Sequence, residues 1–124
     1  MAATVLVVDD AKVVRDLAKQ ALAPLGVAAT EATNGYNALF AMEQAMPDLL
    51  VLDVKMPIMD GLELLTMMRS NPTLQGIPVV MLTSPADHAI LGQLASLGVS
   101  AILKKPFAPA ELAAAAEAAL RPKR

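Results

Sequence analysis

The chain has 124 residues, a net charge of −2, no cysteine, and 56% hydrophobic but only 2% aromatic residues. That length suits one domain over residues 1–124, able to bury its own core without a disulfide or structural metal. The charge speaks against non-specific nucleic-acid binding, and the scarcity of rings against base or sugar stacking. No basic leader and no apolar run of membrane-spanning length is present, so a cytoplasmic setting without membrane or nucleic-acid partners is expected.

Thr4–Val8 is a β-branched run without polar alternation, as in a strand covered on both faces, and it ends in Asp9-Asp10. From Lys12 a helical pattern places Val14, Leu17, Ala18, Ala21, Leu22 and Leu25 on one face, and Gly26 stops it. The segment 27–32 is a weaker, more polar strand of edge character. Asn34-Gly35 predicts a turn, and Ala38, Leu39, Met42 and Ala45 mark a second helix closed before Pro47. A third strand over 48–52 delivers Asp53. Pro57 then breaks the chain, Gly61 supplies an unusual backbone angle, and a third helix runs from about Leu62 to Arg69.

A fourth strand, 77–82, carries its proline near the start and leads to Thr83-Ser84. A fourth helix is expected from about Pro85 to Leu97, with Gly98 as its stop. The fifth strand, 99–103, ends at Lys104-Lys105-Pro106, and an Ala-rich helix follows from about Ala108 to Leu120, before a cationic tail, Arg121-Pro122-Lys123-Arg124. Five strands alternating with five helices specify an α/β doubly wound fold: a parallel sheet, right-handed crossovers and helices on both faces. The eight methionines read as core filling.

In such a sheet, ligands sit beyond the carboxyl ends of the strands. Asp9 and Asp10 follow strand one, Asp53 strand three, Thr83 and Ser84 strand four, and Lys105 strand five. Each has an ordinary structural explanation: Asp53 could simply end a strand, Thr83 cap a helix, and Lys105 sit solvated at a strand end. Their joint placement suggests more. If strands one and three are neighbours, three carboxylates converge and repel, and Mg²⁺, a hard cation that takes oxygen ligands, relieves the repulsion. A lysine and a hydroxyl beside an Asp nucleophile then describe phosphoryl transfer to a carboxylate.

At these positions the sequence resembles the receiver domain of bacterial two-component response regulators, the single-domain chemotaxis type especially. The resemblance rests on Val7-Val8-Asp9-Asp10, on Asp53-x-x-Met56-Pro57-x-Met59-Asp60-Gly61, on Leu82-Thr83-Ser84 and on Lys105-Pro106-Phe107, with Glu31-Ala32-Thr33-Asn34-Gly35 a weaker match. It implies a flavodoxin-like strand order of 2-1-3-4-5. It further implies phosphorylation of Asp53 by a histidine kinase or histidine phosphotransfer protein, and Mg²⁺ held by Asp9, Asp10, Asp53 and the Lys55 backbone carbonyl. Thr83 and Lys105 would bind the phosphoryl group, and the bond before Pro106 would be cis. The mark would be lost by self-catalysed hydrolysis, so the chain would not be a turnover enzyme. Output would pass by protein contact through the face of helix four, strand five and helix five, with a homodimer possible.

Two departures shape further expectations. Ile102 stands where many receivers carry an aromatic switch residue, which predicts a subtler shift around Thr83. Lys55 and Pro85 border the path of a hydrolytic water, which predicts a long-lived mark. His88, the only histidine, is expected on an exposed helical face without a role. Alternative readings are a phosphorelay shuttle or phosphate sink, the receiver part of a larger regulator, an Asp-nucleophile phosphohydrolase, or a flavodoxin-like binder. Adjacent Asp9-Asp10 and the want of a substrate cap disfavour the hydrolase, and carboxylates in the first loop disfavour the binder.

Overall fold

The computed structural model describes residues 2–121; the rest of the cationic tail, 122–124, lies outside the described residues. Five strands, β1 (Thr4–Val8), β2 (Ala28–Ala32), β3 (Leu49–Asp53), β4 (Val79–Thr83) and β5 (Ala101–Lys104), form one parallel sheet in the order β2-β1-β3-β4-β5. Five helices connect and follow them: α1 (Lys12–Leu22), α2 (Gly35–Gln44), α3 (Gly61–Arg69), α4 (Leu91–Ser96) and α5 (Pro109–Leu120). The apolar runs of β1, β3 and β4 are continuous because both sheet faces are covered. Leu6, Val8, Leu50, Leu52, Val79 and Met81 pack with Ala38, Met42, Leu64, Leu65, Met68 and Leu94 of α2, α3 and α4. On the other face Val5, Val7, Leu49, Val51, Val80 and Leu82 meet Ala18, Ala21, Leu22, Leu112 and Ala116 of α1 and α5. The outer strands β2 and β5 are only partly covered, in keeping with the polar character of β2.

Several local expectations need correction. Leu17 is 46% exposed, because the buried stripe of α1 narrows to Ala18, Ala21 and Leu22. Asn34-Gly35 begins α2 instead of making a turn: the Asn34 side chain accepts from the Asn37 amide at 2.8 Å and Gly35 is the first helical residue. The expected fourth helix is two pieces, a 3₁₀ segment Pro85–Ile90 and then α4, since Pro85 and Gly92 leave a short stretch of weak helix propensity. β4 begins two residues after Ile77 and β5 two residues after Val99. The methionines are divided: Met42, Met68 and Met81 are buried, whereas Met46 and Met67 are about half exposed. Gly26 and Gly98 do stop their helical segments, with φ of 70° and 79°.

Arg69, the last residue of α3, ties down the end of the sheet away from the strand-end carboxylates. Its Nε donates to Leu97 O at 2.7 Å, Nη1 to Gln75 O at 3.1 Å and Ile77 O at 3.2 Å, and Nη2 to Gly98 O at 3.1 Å. One guanidinium therefore satisfies carbonyls from both connections flanking β4. Arg69→Ala should lower unfolding free energy by roughly 2–4 kcal/mol, as four carbonyls lose a charged donor. Arg69→Lys should recover only a small part, since an ammonium lacks the planar fork. Urea unfolding midpoints at unchanged slope would measure this.

Candidate functional site

The register brings the sequence-selected residues together. Val8 pairs with Leu52, so the residues that follow, Asp9 and Asp53, leave neighbouring strands side by side. Thr83 pairs with Lys104 at the ends of β4 and β5, and the Lys105 amide donates to Thr83 O at 2.7 Å. The Lys105 side chain then crosses the end of β4, placing Nζ 2.7 Å from Asp53 Oδ1 and 2.9 Å from Asp9 Oδ2. Asp9, Asp53 and Thr83 are buried, and Asp10 is exposed. The Lys105–Pro106 bond is cis.

Each carboxylate is held differently. Asp9 Oδ1 accepts from the Ala11 amide at 2.9 Å, and the Asp9 amide donates to Ala32 O of β2 at 3.1 Å. Asp53 Oδ1 accepts from the Val54 amide at 2.9 Å as well as facing Lys105, while Oδ2 accepts no hydrogen bond among the described residues. Burial, with Asp9 nearby, pushes the Asp53 carboxyl up to about 6, and Lys105 and the Val54 amide only partly offset this. Burial alone would lower Lys105, but its contacts with Asp53 and Asp9 outweigh it and raise the ammonium above its ordinary value. The Thr83 hydroxyl donates to Leu103 O over a long 3.3 Å, and Ser84 N and Oγ donate to Asp87 Oδ2 at 2.8 and 3.2 Å. Thr83 therefore does not cap the next helical segment; Ser84 does.

One oxygen from each of Asp9, Asp10 and Asp53 lies within 4.8 Å of the others. An all-oxygen, doubly or triply anionic donor set, with one exposed carboxylate leaving room for waters, suits a hard divalent cation such as Mg²⁺. Lys55 is exposed, His88 is exposed as expected, and Ile102 is half-buried against the α2/α3/α4 side of the core. An apolar hollow of about 270 Å³ lined by Val14, Leu17, Pro106 and Phe107 adjoins Lys105. A cavity of about 510 Å³ near Arg69, Pro78 and Ser100 is at the opposite end of the sheet and shares no residue with the carboxylate cluster.

Some supports of the site escape a reading along the chain. Gly61 has no positive φ; it is needed because a Cβ there would stand 2.0 Å from Asp53 O, and its amide donates to Val54 O at 2.8 Å. Asp60 caps α3 by accepting from the Glu63 amide at 2.9 Å while Glu63 Oε1 accepts from the Asp60 amide at 3.1 Å, a capping box for which the D-x-x-E spacing is the local signal. Ile58, 80% exposed, takes φ 71°, a left-handed conformation that a β-branched residue adopts only under strain. Arg15 of α1 and Glu31 of β2 meet only because the sheet places β2 beside β1.

The fold and the strand-end cluster define a receiver-type α/β signalling module. Residues 5–117 match the family model described as response regulator receiver domain, and the chain belongs to that family. It is 39% identical over 123 residues to the response regulator MprA of Mycobacterium bovis, covering 98% of this chain and 52% of the relative. It is 36% identical over 109 residues to the chemotaxis protein CheY-3 of Vibrio cholerae, covering 87% of this chain and 84% of the relative. It thus spans about half the length of MprA and of the phosphate regulon transcriptional regulatory protein PhoB of Pseudomonas aeruginosa, and most of the chemotaxis protein. Among solved structures, the chemotaxis response regulator CheY4 of Vibrio cholerae superposes with a TM-score of 0.87 at 29% identity, covering 97% of this chain and 100% of that one. The NtrX receiver domain of Brucella abortus gives 0.84 at 30% identity over 94% and 97%.

Two substitutions test the geometry. Gly61→Ala should destabilise the fold by more than about 2 kcal/mol, because the added methyl meets backbone and neither partner can swing away; chemical unfolding would show it. Asp53 binds its proton more tightly folded than unfolded, so stability falls as pH rises from about 4 through 6. Asp53→Asn should therefore stabilise the metal-free protein by roughly 1–3 kcal/mol at pH 7.5. That gain should shrink towards zero near pH 4, as thermal unfolding across pH would reveal.

Proposed function

We propose that Asp53 accepts a phosphoryl group from a phosphohistidine of a sensor kinase or histidine phosphotransfer protein, and that the modified domain signals by protein contact. The observation that carries this is the free Oδ2 of a buried aspartate whose other oxygen is fixed by Lys105 and Val54. Oδ2 forms the new P–O bond as the P–N bond of phosphohistidine breaks; the imidazole keeps the bonding pair and takes a proton from solvent. Lys105 sits where it can turn from Asp53 to the new phosphoryl oxygens, and the Thr83 hydroxyl can leave Leu103 O for the same target. Asp9, Asp10, Asp53 and the Lys55 backbone carbonyl would hold Mg²⁺, which when bound neutralises charge between donor and acceptor. Hydrolysis of the aspartyl phosphate by water ends the signal, and Lys55 at the rim slows that water.

The apolar hollow of Val14, Leu17, Pro106 and Phe107 beside Lys105 is a landing place for the donor protein, which gives the exposure of Leu17 a purpose. The face of α4, β5 and α5 is the proposed output surface, and a shift of the Thr83 loop against Ile102 replaces an aromatic switch. Coverage of only half of MprA and PhoB favours a second reading, in which this receiver governs an attached output domain.

Acetyl phosphate and phosphoramidate should each label the protein at one site when Mg²⁺ is present. Chelation or Asp53→Asn should reduce labelling at least 100-fold, read by intact mass and Phos-tag electrophoresis. Labelling of Asp53→Asn at the wild-type level would remove the assignment. Lys55→Ala should shorten the phosphoryl lifetime several-fold; an unchanged decay would take Lys55 out of the account.

A further inference from the structure

The loop that joins β1 to α1 must aim two carboxylates, Asp9 and Asp10, and they share one peptide. Asp9 is anchored on three sides: its amide by Ala32 O, its Oδ1 by the Ala11 amide, and its Oδ2 by Lys105. Asp10 is exposed, and its carboxylate has no hydrogen-bond or ion-pair partner among the described residues. The plane of the Asp9–Asp10 peptide therefore sets the position and direction from which the Asp10 side chain starts. That plane is held by one side chain. Arg15 Nη1 donates to Asp9 O at 2.9 Å, and the Arg15 side chain is only 12% exposed.

Arg15 is itself fixed from the next strand. Its Nε donates to Glu31 Oε1 at 2.8 Å, while Glu31 Oε2 accepts from Lys19 at 2.7 Å, and Lys19 also lies 3.9 Å from Asp16. These contacts, Lys19 first and then Arg15, hold the Glu31 carboxyl down at about 2, so it is ionised throughout the neutral range. A guanidinium suits this double duty because its planar fork can serve a carboxylate and a carbonyl at once, which an ammonium cannot do with fixed direction.

We infer that Arg15, braced by Glu31, is a positioning residue for the cation site: it sets the Asp9–Asp10 peptide so that Asp10 joins Asp9 and Asp53 around one divalent ion. The inference rests on the Mg²⁺ reading above. Its sign separates it from a simple charge effect. A cation beside a Mg²⁺ site repels the ion, so if charge were all that mattered, Arg15→Ala would tighten Mg²⁺ binding. Loss of positioning loosens it, as removal of groups that orient metal ligands does by about 10–100-fold.

The test uses the full chain with Mg²⁺ alone, titrated by calorimetry and by amide chemical shifts, with urea unfolding run in parallel. Acetyl phosphate labelling against Mg²⁺ concentration gives a second readout. Wild type should bind Mg²⁺. Arg15→Ala should weaken binding about tenfold or more and move the Mg²⁺ midpoint of labelling by the same factor, with maximal labelling restored at saturating Mg²⁺. Arg15→Lys should not rescue. Arg15→Met, which also removes the cation and its donors but keeps the apolar stem, covers the case in which Arg15→Ala does not fold and should likewise weaken binding about tenfold. Equal or tighter Mg²⁺ binding in a folded Arg15→Ala, or in Arg15→Met should the first not fold, overturns the positioning role and leaves the receiver reading intact. A wild type that binds no Mg²⁺ takes both down.

Discussion

An ammonium lodged between two nearly waterless carboxylates is the constraint from which the active end of this molecule follows. Parallel pairing of β1 with β3 sets Asp9 beside Asp53, with Asp9 fully buried and Asp53 nearly so, and water does little to relieve their repulsion. Lys105 answers from the far side of β4, close to both. The balance is incomplete, since the Asp53 carboxyl still sits at about 6. A site in this condition is short of positive charge, and a cation enters a field already prepared for it.

The two basic residues that touch Asp9 divide the work by atom. Lys105 takes a carboxylate oxygen and compensates charge; Arg15 takes the main-chain carbonyl and fixes direction. Only the second role depends on the outer strand, through Glu31. This gives β2, poorly covered and polar, a reason to carry two charge contacts to α1 on its solvent side. Arg69 does the corresponding mechanical task at the opposite end, where carbonyls and no carboxylates need a donor.

How much of this could be read along the chain depends on the range of the forces involved. The strands were legible because Val5–Val8, Leu49–Leu52 and Val79–Leu82 are apolar without alternation, and an α/β sheet leaves one place for the polar residues that follow them. Asp9, Asp10, Asp53, Thr83 and Lys105 duly meet. Leu17 misled, because helical periodicity finds an apolar face but not how much of it the neighbouring helix covers. Gly61 was noticed for the wrong reason: its freedom of φ is unused, and what matters is the Asp53 carbonyl lying where a side chain would begin. Arg15 and Glu31, sixteen residues apart, carry no local signature at all.

The surroundings of Asp53 are also lopsided. On the α3 side, its carbonyl is pressed so close to Gly61 that there is no slack even for a methyl group. On the β4–β5 side stands a hydroxyl on a stretched bond to Leu103, followed by a loop whose Asp87 leaves one buried oxygen unmatched. The backbone that carries Asp53 thus has no slack towards α3, whereas the hydroxyl and the loop on the β4–β5 side are loosely bonded and have room to give.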